Sequence, residues 1–88
     1  MKVEFSHAFV KIHKKRILHQ KQLHEKFKER TRLFEQNPGN PILNDHALKG
    51  KLDAKRAFSV TGDVRVIYYL HNDTAYFVDI GTHAQVYS

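Results

Sequence analysis

Histidine is the side chain best suited to acid–base chemistry near neutral pH, and seven of the 88 residues are histidine. Two of them lie in short polar segments of the C-terminal half. His46 belongs to Asp45-His-Ala-Leu-Lys-Gly50, and His83 ends Gly81-Thr-His83, four residues before Tyr87. A general base and a general acid could be drawn from this pair. A single histidine more often has an exposed or structural role, so the pattern alone leaves both interpretations open.

Arg65 is the only charged residue in the apolar segment Val64–Leu70. Alternation along a strand places Arg65 on one face, together with Ile67 and Tyr69, and the valines on the other. A guanidinium within a sheet needs a partner, because an unpaired charge removed from water is costly. We therefore expect Arg65 either to pair with Asp63 or Asp79 or to bind an anion such as a phosphate.

Four further histidines lie in the N-terminal part, at His7, His13, His19 and His24. Their spacings of six, six and five residues place no two of them one helical turn apart. The chain has no cysteine, which excludes thiolate metal sites, disulfides and thiol catalysis. We therefore predict that these histidines lie on helix surfaces and that the chain holds no metal and no other cofactor.

The positive charge is concentrated in the first part of the chain. Lys and Arg number 15 against 9 Asp and Glu, a net charge of +6. Residues 1–36 carry the whole excess, while residues 37–88 are balanced. Two interpretations remain open, namely solvated faces of amphipathic helices or a footprint for a polyanion such as nucleic acid.

The helices and strands that position these residues are predicted from hydrophobic periodicity and from the proline, glycine and other turn residues that interrupt it. Met1–Phe5 alternates as a short strand, and Ser6 is a plausible N-cap for a first helix to about Leu18. A second helix is predicted from Gln20 to Gln36, and the two prolines and the glycine that follow end it. This helix carries an apolar stripe. The stripe consists of Leu23, Phe27, the stem of Arg30, and Phe34.

The second half of the chain changes to the period of strands. Lys55–Thr61, Val64–Leu70 and Thr74–Ile80 are rich in Val, Ile, Tyr and Phe and are separated by turn residues. The predicted fold is therefore α+β, in the order β-α-α-β-β-β. It has one antiparallel sheet, two N-terminal helices on one face, and an open opposite face.

Length and composition indicate one domain, residues 1–88. No apolar run approaches the ~18 residues of a membrane span, and no charged-then-apolar leader is present. We therefore expect a cytoplasmic protein that does not bind membranes.

Three segments together resemble the RelE/ParE toxin superfamily, and its YafQ-like branch in particular. They are Asp45-His-Ala-Leu-Lys-Gly50 followed by Arg56, then Gly62-Asp-Val-Arg-Val-Ile-Tyr68, and then Ile80-Gly-Thr-His83 with Tyr87. The predicted order of helices and strands also matches that family. The resemblance covers essentially the whole chain, and its specific residues are concentrated in positions 45–87.

The resemblance implies an active site and an RNA-binding surface. The implied catalytic residues are His46, Asp63, Arg65, His83 and Tyr87, and the implied RNA-binding residues are Arg56, Lys49, Lys51 and Lys55. The chain departs from the YafQ-like pattern at Ser59, where the branch usually has a histidine, and at Val64, where it tends to have a bulky aromatic.

Cleavage of RNA without a metal needs a base at the 2′-OH, positive charge at the phosphate and an acid at the 5′-oxygen. Our hypothesis is that His46 is the general base, that Asp63 has an orienting role, and that His83 is the general acid. Arg65, with Arg56, stabilises the phosphorane. Tyr87 then stacks on a base or positions the phosphate.

The implied function is that of a type II toxin which cleaves translated mRNA on the ribosome. Its implied partners are a cognate antitoxin protein, the ribosome and mRNA. Two alternatives remain. One is a gyrase-inhibiting toxin of the ParE type, and the other is a catalytically silent relative that acts only by binding.

Overall fold

The computed structural model describes residues 1–87. Within this range the elements are β1 (Lys2–Phe5), α1 (His7–Arg16), α2 (Lys21–Gln36), β2 (His46–Ala47), β3 (Arg56–Ser59), β4 (Val64–His71), β5 (Thr74–Thr82) and α3 (His83–Tyr87). Single turns of 3-10 helix, Pro41–Leu43 and Gly50–Leu52, flank β2. The predicted order of one strand, two helices and three strands is confirmed, and β2 and α3 add to it.

The strands form one sheet in the order β1-β5-β4-β3-β2. The β3-β4 and β4-β5 pairs are antiparallel as predicted, and β2 pairs antiparallel with β3. β1 instead runs parallel to β5, with Lys2 opposite Thr74, so the sheet is mixed rather than wholly antiparallel. The reason lies in the connection after β1, because a crossover through helices permits the parallel pairing that a tight hairpin forbids.

α1 begins where the sequence predicted, because Ser6 Oγ accepts a hydrogen bond from the Phe9 N–H at 3.0 Å. The helix ends at Arg16, two residues before the predicted end at Leu18. A short turn then leads to Gln20, the N-cap of α2. The two helices are therefore joined closely, and this turn lies at one end of the sheet.

α2 buries the predicted stripe. Phe27, Arg30 and Phe34 are all buried, and Leu23 packs against the same core. Arg30 NH1 donates to the Ile42 carbonyl at 3.1 Å, while the buried Arg30 Nε has no hydrogen-bond partner among residues 1–87. The apolar stem of this arginine thus continues the stripe while its charged end ties the helix to the following loop.

The main core lies between these two helices and one face of the sheet. It includes six aromatic rings, those of Phe9, Phe27, Phe34, Phe58, Tyr68 and Phe77. Phe34 stacks on Phe58 at 4.7 Å and meets Tyr68 edge-on at 4.9 Å. Such pairs each contribute about 0.5–1.5 kcal/mol beyond the burial of apolar area. The core therefore fixes which face of the sheet is covered by α1 and α2.

The opposite side of the sheet, here called the outer face, carries Arg65 and Ile67. The alternation predicted for β4 is confirmed, since Val64, Val66 and Tyr68 belong to the main core. The outer face is not fully open as predicted. α3 folds back over it, and Val86 packs with Ala57 and Ile67 in a second, small core. The C-terminal helix therefore lies beside Arg65.

Candidate functional site

Arg65 lies in the middle of the sheet on the outer face, opposite Gly81 of β5 and Ser59 of β3. Its Nε is buried and has no hydrogen-bond partner among residues 1–87. Neither expected ion pair forms, because among residues 1–87 neither Asp63 nor Asp79 forms a salt bridge with it. A buried donor without an acceptor is costly unless a ligand supplies one. The geometry therefore suits an anion at this guanidinium.

Tyr87 joins Arg65 to His83. The Arg65 guanidinium carbon lies 5.6 Å from the centroid of the Tyr87 ring, a cation–π distance. The rings of His83 and Tyr87, one helical turn apart on α3, have centroids 4.4 Å apart. Helix α3 thus brings an imidazole, a phenol and a guanidinium together where β4 starts and β5 ends.

His46 lies on β2, opposite Ala57 of β3, and its side chain is exposed. Its Nδ1 lies 2.9 Å from the Asn44 carbonyl oxygen. A carbonyl only accepts, so the proton of neutral His46 sits on Nδ1 and Nε2 carries the lone pair of a base. Within residues 1–87, no hydrogen bond, ion pair or ring contact joins His46 to the α3 cluster. One strand, β3, lies between His46 and Arg65, and two inter-strand spacings with an offset of two residues give about 12 Å between their Cα atoms.

Asp63 lies in the turn before β4. Its N–H donates to Thr61 Oγ1 at 3.2 Å, and its side chain is exposed. It lines a cleft with Gln20 and Leu23 at the start of α2. Within residues 1–87 it forms no salt bridge with Arg65. The structure therefore places Asp63 at the side of the candidate site that faces the helices.

Arg56 is held away from Arg65. Its Nε and NH2 lie 2.8 and 2.7 Å from Asp45 Oδ1, and Nε also contacts the Tyr68 hydroxyl. The Tyr68 hydroxyl in turn donates to Asp45 Oδ2. The hydrogen bond to Asp45 raises the pKa of Arg56 above its usual value. Burial, and then the Asp45 hydrogen bond, raise the pKa of the Tyr68 phenol.

Tyr68 faces the helices, so this network lies on the side of the sheet opposite Arg65. The hypothesis that Arg56 and Arg65 share one phosphate therefore does not match the placement of the two side chains. The three predicted RNA-binding lysines lie nearby in the chain. Lys49 and Lys51 are exposed in the connection after β2, and Lys55 is half-buried immediately before β3.

Arg16 is a residue of the site region that the sequence did not point to. Its NH1 donates to the Ile80 carbonyl at 3.0 Å and pairs with Asp79 at 3.3 Å. A side chain at Gly81 would collide with it, since a Cβ there would lie 2.8 Å from Arg16 NH1 and 2.6 Å from Gln85 Oε1. The only signal in the sequence is a glycine within a strand, which marks a close approach of neighbouring groups.

Asp79 is the partner of Arg16 and is half-buried on β5. Burial raises the pKa of its carboxyl, and the Ile80 N–H and the Arg16 charge oppose that shift. Asp79 therefore ties the end of α1 to β5 and is not the counterion of Arg65.

Two of the helix histidines are not surface residues as predicted. His13 and His24 are half-buried, and Nδ1 of His24 lies 3.3 Å from Nε2 of His13. The spacing of histidines within one helix does not reveal this pair, because α1 and α2 lie side by side and bring together residues eleven positions apart. Burial, followed by the charge of His24, lowers the pKa of His13.

Within residues 1–87, no group of three or more His, Asp or Glu side chains comes together as a metal site would require. No helix in this range has the length and apolar character needed to cross a bilayer.

The chain resembles known proteins in sequence and in fold. A family described as "Bacterial toxin of type II toxin-antitoxin system, YafQ" matches residues 1–88. The crystal structure of YafQ from E. coli strain BL21(DE3) has a TM-score of 0.79 and 28% identity, over 99% of this chain and 98% of that chain. YafQ in the E. coli DinJ–YafQ complex gives 0.76 and 28%, over 99% and 97%.

A YoeB/ParE toxin from Agrobacterium tumefaciens, at 15% identity, shows the same fold with a TM-score of 0.77 over 94% of this chain and 99% of that chain. No curated protein matches the chain. The fold is thus that of the RelE-like toxins. The chain belongs to the YafQ family of bacterial type II toxin–antitoxin toxins, as the three sequence segments predicted.

Proposed function

We propose that this toxin is an endoribonuclease that cleaves mRNA on the translating ribosome, in the cytoplasm. The observation that carries the proposal is the buried Arg65 Nε, which has no partner in the described part of the chain and lies next to the paired rings of Tyr87 and His83. A guanidinium that lacks an acceptor matches a phosphate, and the imidazole beside it matches a leaving oxygen that needs a proton.

The proposed reaction uses side chains of this chain and no metal. His46 Nε2 takes the proton from the ribose 2′-OH, and the 2′-oxygen forms a bond to phosphorus. Arg65 stabilises the added negative charge of the phosphorane. The bond from phosphorus to the 5′-oxygen then breaks, and His83 gives that oxygen a proton. The products are a 2′,3′-cyclic phosphate and a 5′-hydroxyl.

The separation of His46 and Arg65, about 12 Å between Cα atoms from the strand spacing, leaves room for a ribose and its phosphate between the side chains. The RNA must therefore be held in one extended conformation. Holding it so is the role we propose for the ribosome, because correct geometry supplies much of the rate of such reactions.

The remaining predicted residues have supporting roles in this proposal. Arg56 is engaged by Asp45, so we assign it to holding the segment that carries His46. Lys49, Lys51 and Lys55 attract the RNA backbone. Asp63 borders the site from the helix side and takes no part in proton transfer.

We further propose that a cognate antitoxin protein binds this toxin. The support is membership of the family together with the E. coli relative, whose crystal structure is a toxin–antitoxin complex with DinJ. Copurification of the chain with the protein encoded by the adjacent gene would test this part of the proposal.

The test of cleavage is primer extension on a defined mRNA in a translating bacterial extract. The wild-type protein is expected to produce new discrete ends within codons, and His83→Ala is expected to reduce them at least a hundredfold, since a general acid typically contributes about 10²–10⁴ in rate. His7→Ala is the matched control, because His7 is exposed on α1 far from the cluster in sequence.

Two results would contradict the proposal. Equal cleavage by His83→Ala and wild type would remove His83 from the reaction. Intact mRNA with wild-type protein would reject the nuclease, and inhibition of DNA supercoiling in a gyrase assay would then favour the ParE-type alternative.

A further inference from the structure

Two tyrosines extend the outer face of the sheet beyond the α3 cluster. Tyr69 of β4 and Tyr76 of β5 lie opposite each other, and their rings are stacked, with centroids 5.2 Å apart and an interplanar angle of 18°. Both side chains point away from the main core, because their neighbours Tyr68 and Phe77 belong to it. We call Tyr69 and Tyr76 the tyrosine pair. Tyr69 is 39% exposed, so the pair leaves aromatic surface open to solvent.

One face of the Tyr69 ring is free to take a further ring. Within residues 1–87, the Tyr76 ring is the only ring in contact with it. Tyr76 lies on the β5 side of Tyr69, so the free face of the Tyr69 ring is turned toward β3, the other neighbouring strand. A planar group placed above β3 would therefore continue the stack.

Lys55 lies beside that free face. Arg56 is opposite Tyr68 in the pairing of β3 with β4, which brings Lys55 level with Tyr69, about 5 Å away between Cα atoms. Ala57 packs in the small core of the outer face, and alternation puts Lys55 on the same face as Ala57. The free face of the ring and the ammonium of this lysine are therefore on the same side of the sheet.

The two sides of the tyrosine pair differ in charge. Lys55, on the β3 side, forms no salt bridge within residues 1–87. Glu4 of β1 lies opposite Tyr76, on the other side of the pair. A phosphate is therefore attracted to the β3 side, next to the free face of the Tyr69 ring, and repelled from the β1 side.

From this arrangement we infer that the tyrosine pair stacks one base of single-stranded RNA, while Lys55 contacts the adjoining phosphate. Surfaces that bind single strands combine cations for the backbone with aromatic rings for the bases. The inference rests on the proposed function for its ligand, RNA. Tyr69 lies four residues from Arg65 along β4, about 13 Å, so the nucleotide held here is not the one whose phosphate Arg65 contacts. The pair thus positions the RNA from outside the place of cleavage.

The test measures binding without cleavage. The probe is fluorescein-labelled hexaadenylate with 2′-O-methyl groups, which leave no 2′-OH to react, and its binding to the intact protein is followed by fluorescence anisotropy at low salt. We expect saturable binding by wild type. Tyr69→Leu is expected to weaken it at least about fivefold, because the stacking of one base on an aromatic ring contributes that much or more. Tyr69→Phe keeps the ring and is expected to bind as wild type does.

An abasic probe of the same length separates stacking from charge. Because it has no bases, Tyr69→Leu is expected to bind it as wild type does. Lys55→Met is expected to weaken the binding of both probes. It should also lower the slope of log Kd against log salt concentration by about 0.7, the value for one phosphate of a single strand.

Leu70→Ala is the matched control on the same strand. Leu70 follows Tyr69, is 49% exposed and lies on the other face, where it lines a cavity with Arg56 and Tyr68. We expect this variant to bind hexaadenylate as wild type does, and circular dichroism confirms that each variant is folded. Equal loss in Tyr69→Leu and Leu70→Ala would overturn the inference. Equal loss of both probes in Tyr69→Leu, or no binding of hexaadenylate by wild type, would overturn it as well.

The primer-extension assay separates this inference from the proposed function. Cleavage by wild type, together with unchanged hexaadenylate binding in Tyr69→Leu, would reject the stacking role and leave the nuclease in place. Weakened binding in Tyr69→Leu, with no cleavage by wild type, would support the stacking role and reject the nuclease. A second copy of the chain is the remaining occupant. A wild-type dimer in sedimentation that Tyr69→Leu converts to a monomer would make the tyrosine pair a contact between copies and overturn the inference.

Discussion

Gly81 allows a guanidinium from α1 to reach the edge of the outer face. It lies opposite Arg65, and the absence of a side chain leaves the space that Arg16 and Gln85 occupy. Arg16 uses that space to reach the Ile80 carbonyl and Asp79. One glycine thus determines how the first helix is attached to the last strand.

Replacing Gly81 with alanine is expected to lower the free energy of unfolding by about 1 kcal/mol. The added Cβ forces Arg16 and Gln85 aside, and the cost stays near the lower end of overpacking because flexible side chains must move. Chemical denaturation measures this. Gly62→Ala is the control, since a Cβ at Gly62 meets nothing within 4 Å. Equal effects of the two substitutions would contradict the explanation.

At the scale of single residues, the face on which Arg65 lies could be predicted from the sequence, but its surroundings could not. Alternation along β4 depends only on neighbouring residues, so the outer face followed directly. The ion-pair partner of Asp79 could not be predicted, because Asp79 pairs with Arg16, 63 positions earlier in the chain. A contact across that separation depends on packing that no local pattern encodes.

At the scale of elements, α1 and α2 are joined by a pair of histidines as well as by the core. The His13 ring stacks on Phe9, with ring centroids 5.8 Å apart, and its centroid lies 4.9 Å from that of Phe27. It also contacts His24. One ring must accept the proton of the other, so at most one of them can be charged while the hydrogen bond persists. The helix pair is therefore sensitive to acid.

Stability is expected to fall as the pH drops below 6.5, the ordinary value for histidine. Because burial lowers the pKa of His13 in the folded state, the unfolded chain binds more protons below pH 6.5. The free energy of unfolding therefore decreases as the pH falls from 6.5 through the lowered pKa of folded His13. Urea denaturation between pH 7.5 and 5 measures the slope. His13→Gln should flatten it, whereas His19→Gln, at an exposed position, should not. An unchanged slope in His13→Gln would reject this origin.

A second link between elements is the network of Asp45, Arg56 and Tyr68, which joins the segment before β2 to β3 and β4. The Asp45 side chain is only 9% exposed, so both partners are needed to satisfy its charge. The network holds the loop from which β2, and with it His46, continues.

Tyr68→Phe is expected to cost about 1.5–3 kcal/mol of unfolding free energy, because it removes a hydrogen bond to a charged group. Thermal or chemical denaturation gives the value. Tyr69→Phe, one position later and 39% exposed, should change stability by less than about 0.5 kcal/mol. Similar losses in the two variants would show that the Asp45 network adds no stability.

At the scale of the whole molecule, the order of elements and the covered face of the sheet could be predicted. Both follow from hydrophobic periodicity and from the turn residues that end each element. The parallel pairing of β1 and the fold of α3 over the outer face could not be predicted. Each depends on which distant surface a short segment meets, as in the pairing of Lys2 with Thr74, about 70 positions later in the chain. Within the candidate site, the face of Arg65 follows from alternation along β4. The approach of His83 and Tyr87 to Arg65 depends on how α3 packs on the sheet.

The pairing of β1 with β5 also bears on synthesis of the chain. The first strand finds its neighbour only when the last strand has been made, and His83 and Tyr87 follow directly after that strand. Translation proceeds from the N-terminus, so a nascent chain has its helices before it can close its sheet. The sheet can therefore close, and His83 and Tyr87 can take their places beside Arg65, only after β5 has been synthesised and has left the ribosome.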